Sequence, residues 1–341
     1  MTNWYESKES DSSPIISSRI RLARNLAAYP FPVRLSTDSA MALINEVRAA
    51  APNFHFVEPA KEDVITRLSM VERHYISPEV LKFSSDKSFA LLIGNTHSGT
   101  CSDKSIMLGE EDHIRIQAVS VGNNLDNAYA AASEIDDFLE SSLEYAYHEK
   151  FGYLTSCPTN TGTGLRASFM MHIPMLEKTG NLTKLISNLS KLGMTVRGIY
   201  GEGSKSFGGI YQVSNQVTLG KSEDEIINEL KTIGNQLVDS ELSLLQNSFT
   251  KSHIDMEDVI FRALGLLTHA RRLTVSESME SLSAIRIGLL SGILKKDIAK
   301  APIYCIMMNI LPGNLQKMSG GYLSEKDILT YRARYLREMF K

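Results

Sequence analysis

Arg19 and Arg21, two arginines one residue apart in the run SSRIRLARN, are the first residues of this 341-residue chain that suggest chemistry. An extended backbone there points both guanidinium groups to one face and Ile20 and Leu22 to the other. Set about 7 Å apart, the two groups form a fork matched to phosphate oxygens. On spacing alone, an edge strand with solvated arginines is the commoner reading. The run GEEDHIRIQ repeats the alternation, with Glu111, His113 and Arg115 on one face and Ile114 and Ile116 on the other. A carboxylate, an imidazole and a guanidinium so placed suit an active site, and equally a self-satisfied surface ladder.

Two glycine-containing stretches follow. In TSCPTNTGTGLRASF, Gly162 and Gly164 bracket a threonine ahead of Arg166. Such a loop can bring backbone N–H groups close to an anion. Cys157, before a proline, reads as a reactive thiol or as an inert one. The stretch VRGIYGEGSKSFGG supplies Arg197 and Glu202. It lacks the Gly-Lys-[Ser/Thr] of a Walker A loop and the GxGxxG spacing of a dinucleotide fold, and the chain has no HRD or DFG run. The eight histidines are scattered without ligand spacing, so no metal site is expected. His74 and His113 are the two histidines with a candidate site role.

The elements that must position these residues follow from periodicity. Ser36 to Ala51 and Val64 to His74 carry helix-period apolar positions, the first with Ser36 as its cap. Strands are expected at Ser88 to Asn95, Asp112 to Ala118, Arg166 to Ile173, Thr195 to Tyr200 and Gly209 to Leu219. Helices are expected from Leu125 to His148, Leu176 to Leu192 and Ser222 to Phe249, the last opened by a Ser222/Glu225 capping box. Beyond Lys251 the pattern is helical throughout. The expected division is a loose, polar segment 1–13, a mixed α/β catalytic part 14–250 and an all-helical part 251–341.

Composition removes several classes. A formal net charge of -3 gives no global basic field for nucleic acid or anionic lipid. Cys101, Cys157 and Cys305 include no CxxC, which argues against a disulfide framework or zinc site. No apolar run is long enough to span a bilayer, and the polar start is unlike a leader, so the chain reads as cytoplasmic.

CPTNTGTGLRAS resembles the signature CPTNxGTxxRAS of the ATP:guanidino phosphotransferase (phosphagen kinase) family, and EEDHIRI and SSRIRLAR resemble two further blocks in the same order. GIYGEGS, IYQVSNQVTLGKSE and the helical C-terminal part look like the bacterial protein-arginine-kinase branch. The conventional branch has a helical domain before SxRxR; here that block begins at Ser17. An absent domain would open the site to a side chain presented on a protein. The implied fold is α+β, an antiparallel sheet flanked by helices in a glutamine-synthetase-like arrangement, with the helical part mediating a homodimer.

The resemblance also implies roles. ATP with Mg²⁺ is the expected co-substrate, held without a protein metal cage. The implied nucleotide segments are Ser17, Ser18, Arg19, Ile20 and Arg21; His74; Arg115; Arg166, Ala167, Ser168, Phe169 and Met170; and Arg197, Gly198, Ile199, Tyr200 and Gly201. Glu111 matches the catalytic carboxylate, Glu202 a second carboxylate on the substrate guanidinium, and Cys157 the family's active-site thiol. Tyr200 stands where the wider family has an arginine. The branch's phosphoarginine motif RDxxRA is degenerate here, Ile328 to Ala333 keeping only Arg332-Ala333. Implied partners are arginine-bearing protein substrates, a stress-gene repressor, a Clp unfoldase that reads phosphoarginine as a degradation tag and a zinc-containing activator, with no direct nucleic acid or membrane contact. Two other readings are a kinase for free arginine or another small guanidine, and a nucleotide- or phosphoarginine-binding adaptor without chemistry.

Overall fold

The computed structural model describes residues 3–82, 88–94, 102–180, 182–199 and 206–341. Ten strands are present among them: β1 (Ile15–Arg24), β2 (Phe54–Val57), β3 (Ala90–Gly94), β4 (Ser102–Leu108), β5 (Ile114–Val121), β6 (Tyr147–His148), β7 (Gly152–Tyr153), β8 (Leu165–His172), β9 (Met194–Gly198) and β10 (Ile210–Asn215). Eight form one sheet in the order β2-β3-β4-β5-β1-β8-β10-β9, and β6 and β7 form a separate hairpin. β2 to β5 pair antiparallel, with Met107 opposite Arg115 and Ile106 opposite Ile116. The chain divides into two compact units. One holds Met1–Trp4, Ser18–Ser168 and Ser214–Lys231; the other holds Tyr5–Ser17, Phe169–Val213 and Thr232–Lys341.

Within the first unit, α1 (Thr37–Ala50), α2 (Val64–Glu72) and α3 (Leu125–Glu140) accompany the sheet. Ser36 accepts the Ser39 N–H at 3.2 Å and Asp63 accepts that of Thr66 at 3.0 Å, so both helix starts are capped by side chains. Ile20, Leu22, Ile114, Ile116 and Ala118 are fully buried, while Arg19, Arg21 and Arg115 keep some exposure. At Arg19, Arg21 and Arg115 the alternation read from sequence is the alternation observed, whereas His113 and Gln117 on the expected polar face are buried. Ile76, Val80, Phe89, Leu91 and Met107 form a core behind α2 and β3. Arg24, at the end of β1, is 1% exposed and donates to Asp136 of α3 at 2.6 Å. Its guanidinium lies 3.6 Å from the centre of the Tyr153 ring, and it also donates to the Thr163 carbonyl at 2.9 Å.

The second unit carries α4 (Pro174–Lys178), α5 (Leu182–Lys191), the greater part of α6 (Glu223–Lys251), and α7 (His253–His269), α8 (Val275–Leu290), α9 (Ile303–Asn309), α10 (Pro312–Ser319) and α11 (Glu325–Met339). The expected capping box at Ser222 is present: the Glu225 N–H donates to Ser222 Oγ at 3.2 Å and the Ser222 N–H to Glu225 at 2.7 Å. A second box joins Thr274 and Glu277. The segment expected to be loose contains two 3-10 turns, Trp4–Glu6 and Lys8–Asp11, and Trp4 and Tyr5 are buried. Arg286 ties that segment down, donating to Asp11 at 2.9 Å and to the Ser13 carbonyl at 2.6 Å. Arg332, the arginine kept in the degenerate motif, is 2% exposed and donates to the Ile310 and Leu273 carbonyls at 2.9 Å each. It is occupied in holding helices together.

Several elements differ from expectation, among them α2, which ends at Glu72, and β10, which ends at Asn215. The helix expected to reach His148 ends at Glu140, and Tyr147 to Tyr153 form the hairpin. The helix expected over Leu176 to Leu192 is two helices, α4 and α5, separated by a turn at Gly180 with φ 69°. β4 was not expected because Ser, Asp and Lys interrupt its apolar positions. It forms because β3 and β5 pair with its backbone on both sides.

Candidate active site

The first unit gathers four guanidinium groups. Arg19 and Arg21 come from β1, Arg115 from β5 and Arg166 from β8. Arg21 has the other three about it. Burial first, then the charges of Arg19, Arg115 and Arg166, hold it well below the usual guanidinium range, with Glu110 pulling the other way. Like charges gathered in a desolvated place are unfavourable without an anion, so such a cluster is built for one.

Two carboxylates meet this cluster through Arg115. Its Nη2 lies 2.6 Å from Glu110 Oε2 and 3.0 Å from Glu111 Oε2. Glu110 is nearly enclosed, with 8% of its side chain exposed, whereas Glu111 keeps 44%. Burial pushes the Glu110 carboxyl up. Arg115, the Ser77 hydroxyl at 2.6 Å, the Glu111 N–H at 3.0 Å and Arg21 outweigh that and hold it below the usual range. Glu110 is thus the fixed counter-charge, and Glu111 is the carboxylate left open to something outside.

His74 follows α2 at φ 63°, the one left-handed non-glycine among the described residues. Its carbonyl accepts from Gln117 at 2.9 Å. Burial, then Arg19 and Arg21, lower its ring to about 3, so the imidazole is neutral at physiological pH. His113 does not join the cluster as the face rule implied. It is fully buried, its Nδ1 accepts the Leu26 N–H at 3.0 Å, and its Nε2 donates to the Pro30 carbonyl at 2.9 Å. It precedes β5 in a bend, where the two-residue alternation does not apply.

The glycine loop is held tightly. Gly164 has φ 65°, and a Cβ there would lie 2.6 Å from the Ala23 carbonyl. Thr218 Oγ1 bonds to the carbonyls of Thr159 and Thr161. Cys157 is partly exposed, with its Sγ 3.0 Å from Thr159 Oγ1. Arg166 donates to Ser214 Oγ at 3.1 Å, and the Ala167 N–H to Asn215 Oδ1 at 2.8 Å.

Other residues expected at the site have structural contacts. Ser18 donates to the Gly122 carbonyl at 2.7 Å and accepts the Asn124 N–H at 2.8 Å. Ser17, Ile20, Ala167, Ser168, Phe169 and Met170 are buried. Arg197, Gly198 and Ile199 belong to the second unit, as do Ser17, Phe169 and Met170; Arg197 is exposed on β9. Tyr200, Gly201 and Glu202 lie outside the described residues. Sequence reading passed over Glu110, Ser77, Asn25 and Asp112. Glu110 and Asp112 flank Glu111 in one acidic triplet, and nothing local distinguishes their roles.

Comparison with known proteins sets this geometry in context. Residues 37–244 match the family described as ATP:guanido phosphotransferase, C-terminal catalytic domain. Residues 253–341 match the Protein-arginine kinase McsB C-terminal domain. The chain is 41% identical over 350 aligned positions to a protein-arginine kinase of Clostridium kluyveri, covering 99% of this chain and 98% of that one. It is 40% identical to that of Bacillus velezensis, covering 99% and 93%. Among solved structures, the duplicated taurocyamine kinase of Schistosoma mansoni with bound transition-state-analogue components aligns with TM-score 0.60 and 25% identity, covering 71% of this chain and 35% of that one. Lombricine kinase aligns with TM-score 0.57 and 22% identity over 71% of this chain and 69% of that one, a likeness of fold.

Proposed function

Because the chain belongs to the ATP:guanido phosphotransferase family, we propose that it transfers the γ-phosphoryl group of ATP to a guanidinium nitrogen of arginine residues in proteins. The observation that carries this reading is the four-arginine cluster around Arg21, with the half-open carboxylate Glu111 on Arg115. Arg19, Arg21, Arg115 and Arg166 would hold the phosphates, and preorganised guanidinium groups stabilise charge at little reorganisation cost. The donor set fits a polyphosphate. Mg²⁺ would arrive on the phosphate oxygens, neutralising part of their charge there.

The acceptor nitrogen is the harder problem. Removing a proton from arginine before reaction, near pH 7.5, would cost roughly 8 kcal/mol, given a pKa of about 13.8. Glu111 instead accepts that proton as the N–P bond forms. The family resemblance implies a second carboxylate, Glu202, for the other guanidinium nitrogens. Neutral His74 fits contact with a neutral adenine face better than a charged ring would. Cys157 would sit beside the acceptor.

Residues 14–250 would form the catalytic part and 251–341 a helical dimerisation part. Relatives that share the C-terminal part are named protein-arginine kinases, which supports protein substrates over free arginine. Phosphoarginine made this way would mark substrates for a Clp unfoldase and relieve a stress-gene repressor, with a zinc-containing activator, in the cytoplasm. The test is incubation with labelled ATP, Mg²⁺ and an arginine-containing protein. Label stable at neutral pH and lost in acid is expected for an N–P bond; acid-stable label would mean hydroxyl phosphorylation and overturn the reading. Millimolar free arginine should compete weakly, and strong competition would favour a small-guanidine kinase.

A further inference from the structure

Beside Glu111 lies a buried node that the chemistry above does not use. Asp112 is 1% exposed, and its Oδ1 accepts from Asn25 Nδ2 and from the Ser156 N–H, both at 2.7 Å. Asn25, also 1% exposed, accepts the His113 N–H on Oδ1 at 2.9 Å and donates from Nδ2 to the Leu154 carbonyl at 3.1 Å. The amide orientation follows from its partners: only the oxygen can face an N–H, and only the nitrogen a carboxylate and a carbonyl. His113 closes the node as a neutral ring, accepting on Nδ1 and donating from Nε2, and burial keeps it neutral.

Three segments meet at one carboxylate oxygen. Asn25 follows the strand that carries Arg19 and Arg21, Asp112 follows Glu111, and Ser156 precedes Cys157. Glu111 itself is half-open and tied through one contact to Arg115, so its position depends on the backbone of its turn. The loop before Cys157 leaves β7 at Tyr153, and beyond the bond from the Leu154 N–H to the Ala146 carbonyl it has no strand partner among the described residues. Loops set only by their own chain place side chains loosely, while a misplacement of about 1 Å can cost about a hundredfold in rate. Asp112 also has an unusual environment: its Oδ2 and the Ser156 hydroxyl are buried with no hydrogen-bond partner among the described residues. A node serving packing alone would be met by an apolar pair or a fully bonded one.

We propose that Asp112, oriented by Asn25, is a positioning residue that fixes the Glu111 turn against the Cys157 loop and never touches substrate. The acceptor geometry of Oδ1, rather than the charge, carries this role. Asp112→Asn retains an oxygen there, and Asp112→Ala does not. The activity arm of the test rests on the arginine-kinase reading; the thiol arm does not.

The experiment measures kcat, the Kd of a fluorescent ATP analogue and the rate at which a disulfide reagent modifies Cys157, in a Cys101→Ser, Cys305→Ser background. Asp112→Ala is expected to lower kcat about a hundredfold, leave nucleotide Kd within threefold and speed Cys157 modification about tenfold. Asp112→Asn should restore all three to within about threefold of the parent. If Asp112→Ala does not fold, Asn25→Ser, which removes the same lock from the other side, must show the same split. Full kcat with unchanged thiol rate in the Ala or Ser variant overturns the proposal, as does a fall in nucleotide affinity that matches the fall in kcat. If the parent phosphorylates no arginine, the arginine-kinase reading fails while the thiol rates still decide the lock.

Discussion

The chain contains two populations of buried or half-buried arginine, and they are handled in opposite ways. Arg286 and Arg332 in the second unit are enclosed and answered, Arg286 by Asp11 and a carbonyl, Arg332 by two carbonyls. Arg21 in the first unit is partly buried among its own kind, with Arg19, Arg115 and Arg166 about it and Glu110 opposing them. The first arrangement spends charge on holding segments together. The second leaves positive potential unspent, and a folded protein tolerates that where an anion will answer it. Burial of an arginine therefore says little by itself; the sign of its neighbours separates a brace from a binding group.

Three experiments bear on that contrast. The largest effect is expected at the carboxylate that faces outward. Glu111→Ala should lower kcat by at least about a thousandfold, or about 4 kcal/mol of barrier, with ATP affinity nearly unchanged. Near-normal turnover would remove Glu111 from the chemistry and leave the cluster as a binding site alone.

Exchanging the two kinds of arginine comes next. Arg286→Met strands the Asp11 carboxylate, which burial already pushes up, and should cost about 3 kcal/mol of stability with ATP affinity intact. Arg166→Ala should do the reverse, weakening ATP binding about tenfold or more while denaturant midpoints stay level or rise. Both variants losing stability equally would erase the distinction.

The third experiment concerns acid. His74 has its folded value lowered from 6.5 to about 3, by burial and then by Arg19 and Arg21. The folded state thus favours the neutral ring, so this contribution to stability is complete above pH 6.5 and is lost as pH falls from there toward about 3. His74→Leu should flatten that part of the stability curve. An unchanged slope between pH 6.5 and 4 would mean that the ring is not held neutral by the cluster.

Much of this arrangement is legible in one dimension. Alternation placed Arg19, Arg21 and Arg115 opposite an isoleucine-rich core face, because strand pleat is a local property. Ser36 and the Ser222/Glu225 pair announced helix starts, because a cap needs only neighbours within three residues. Boundaries that depend on distant partners were less legible: β4 exists because β3 and β5 complete its hydrogen bonds, and α2 stops at Glu72, two residues before the chain turns left-handed at His74.

What the sequence determined by itself is the set of charges, their spacing along strands and the order of the blocks that carry them. The division of labour within Glu110, Glu111 and Asp112 is set by folding alone. Three consecutive acids in a bend have no common face rule. Glu110 is drawn inward by Arg115 and Ser77, Glu111 stays half-open, and Asp112 is taken by Asn25 and the Ser156 N–H. Each partner comes from a different part of the chain, and which acid receives which partner is set by folding those parts together.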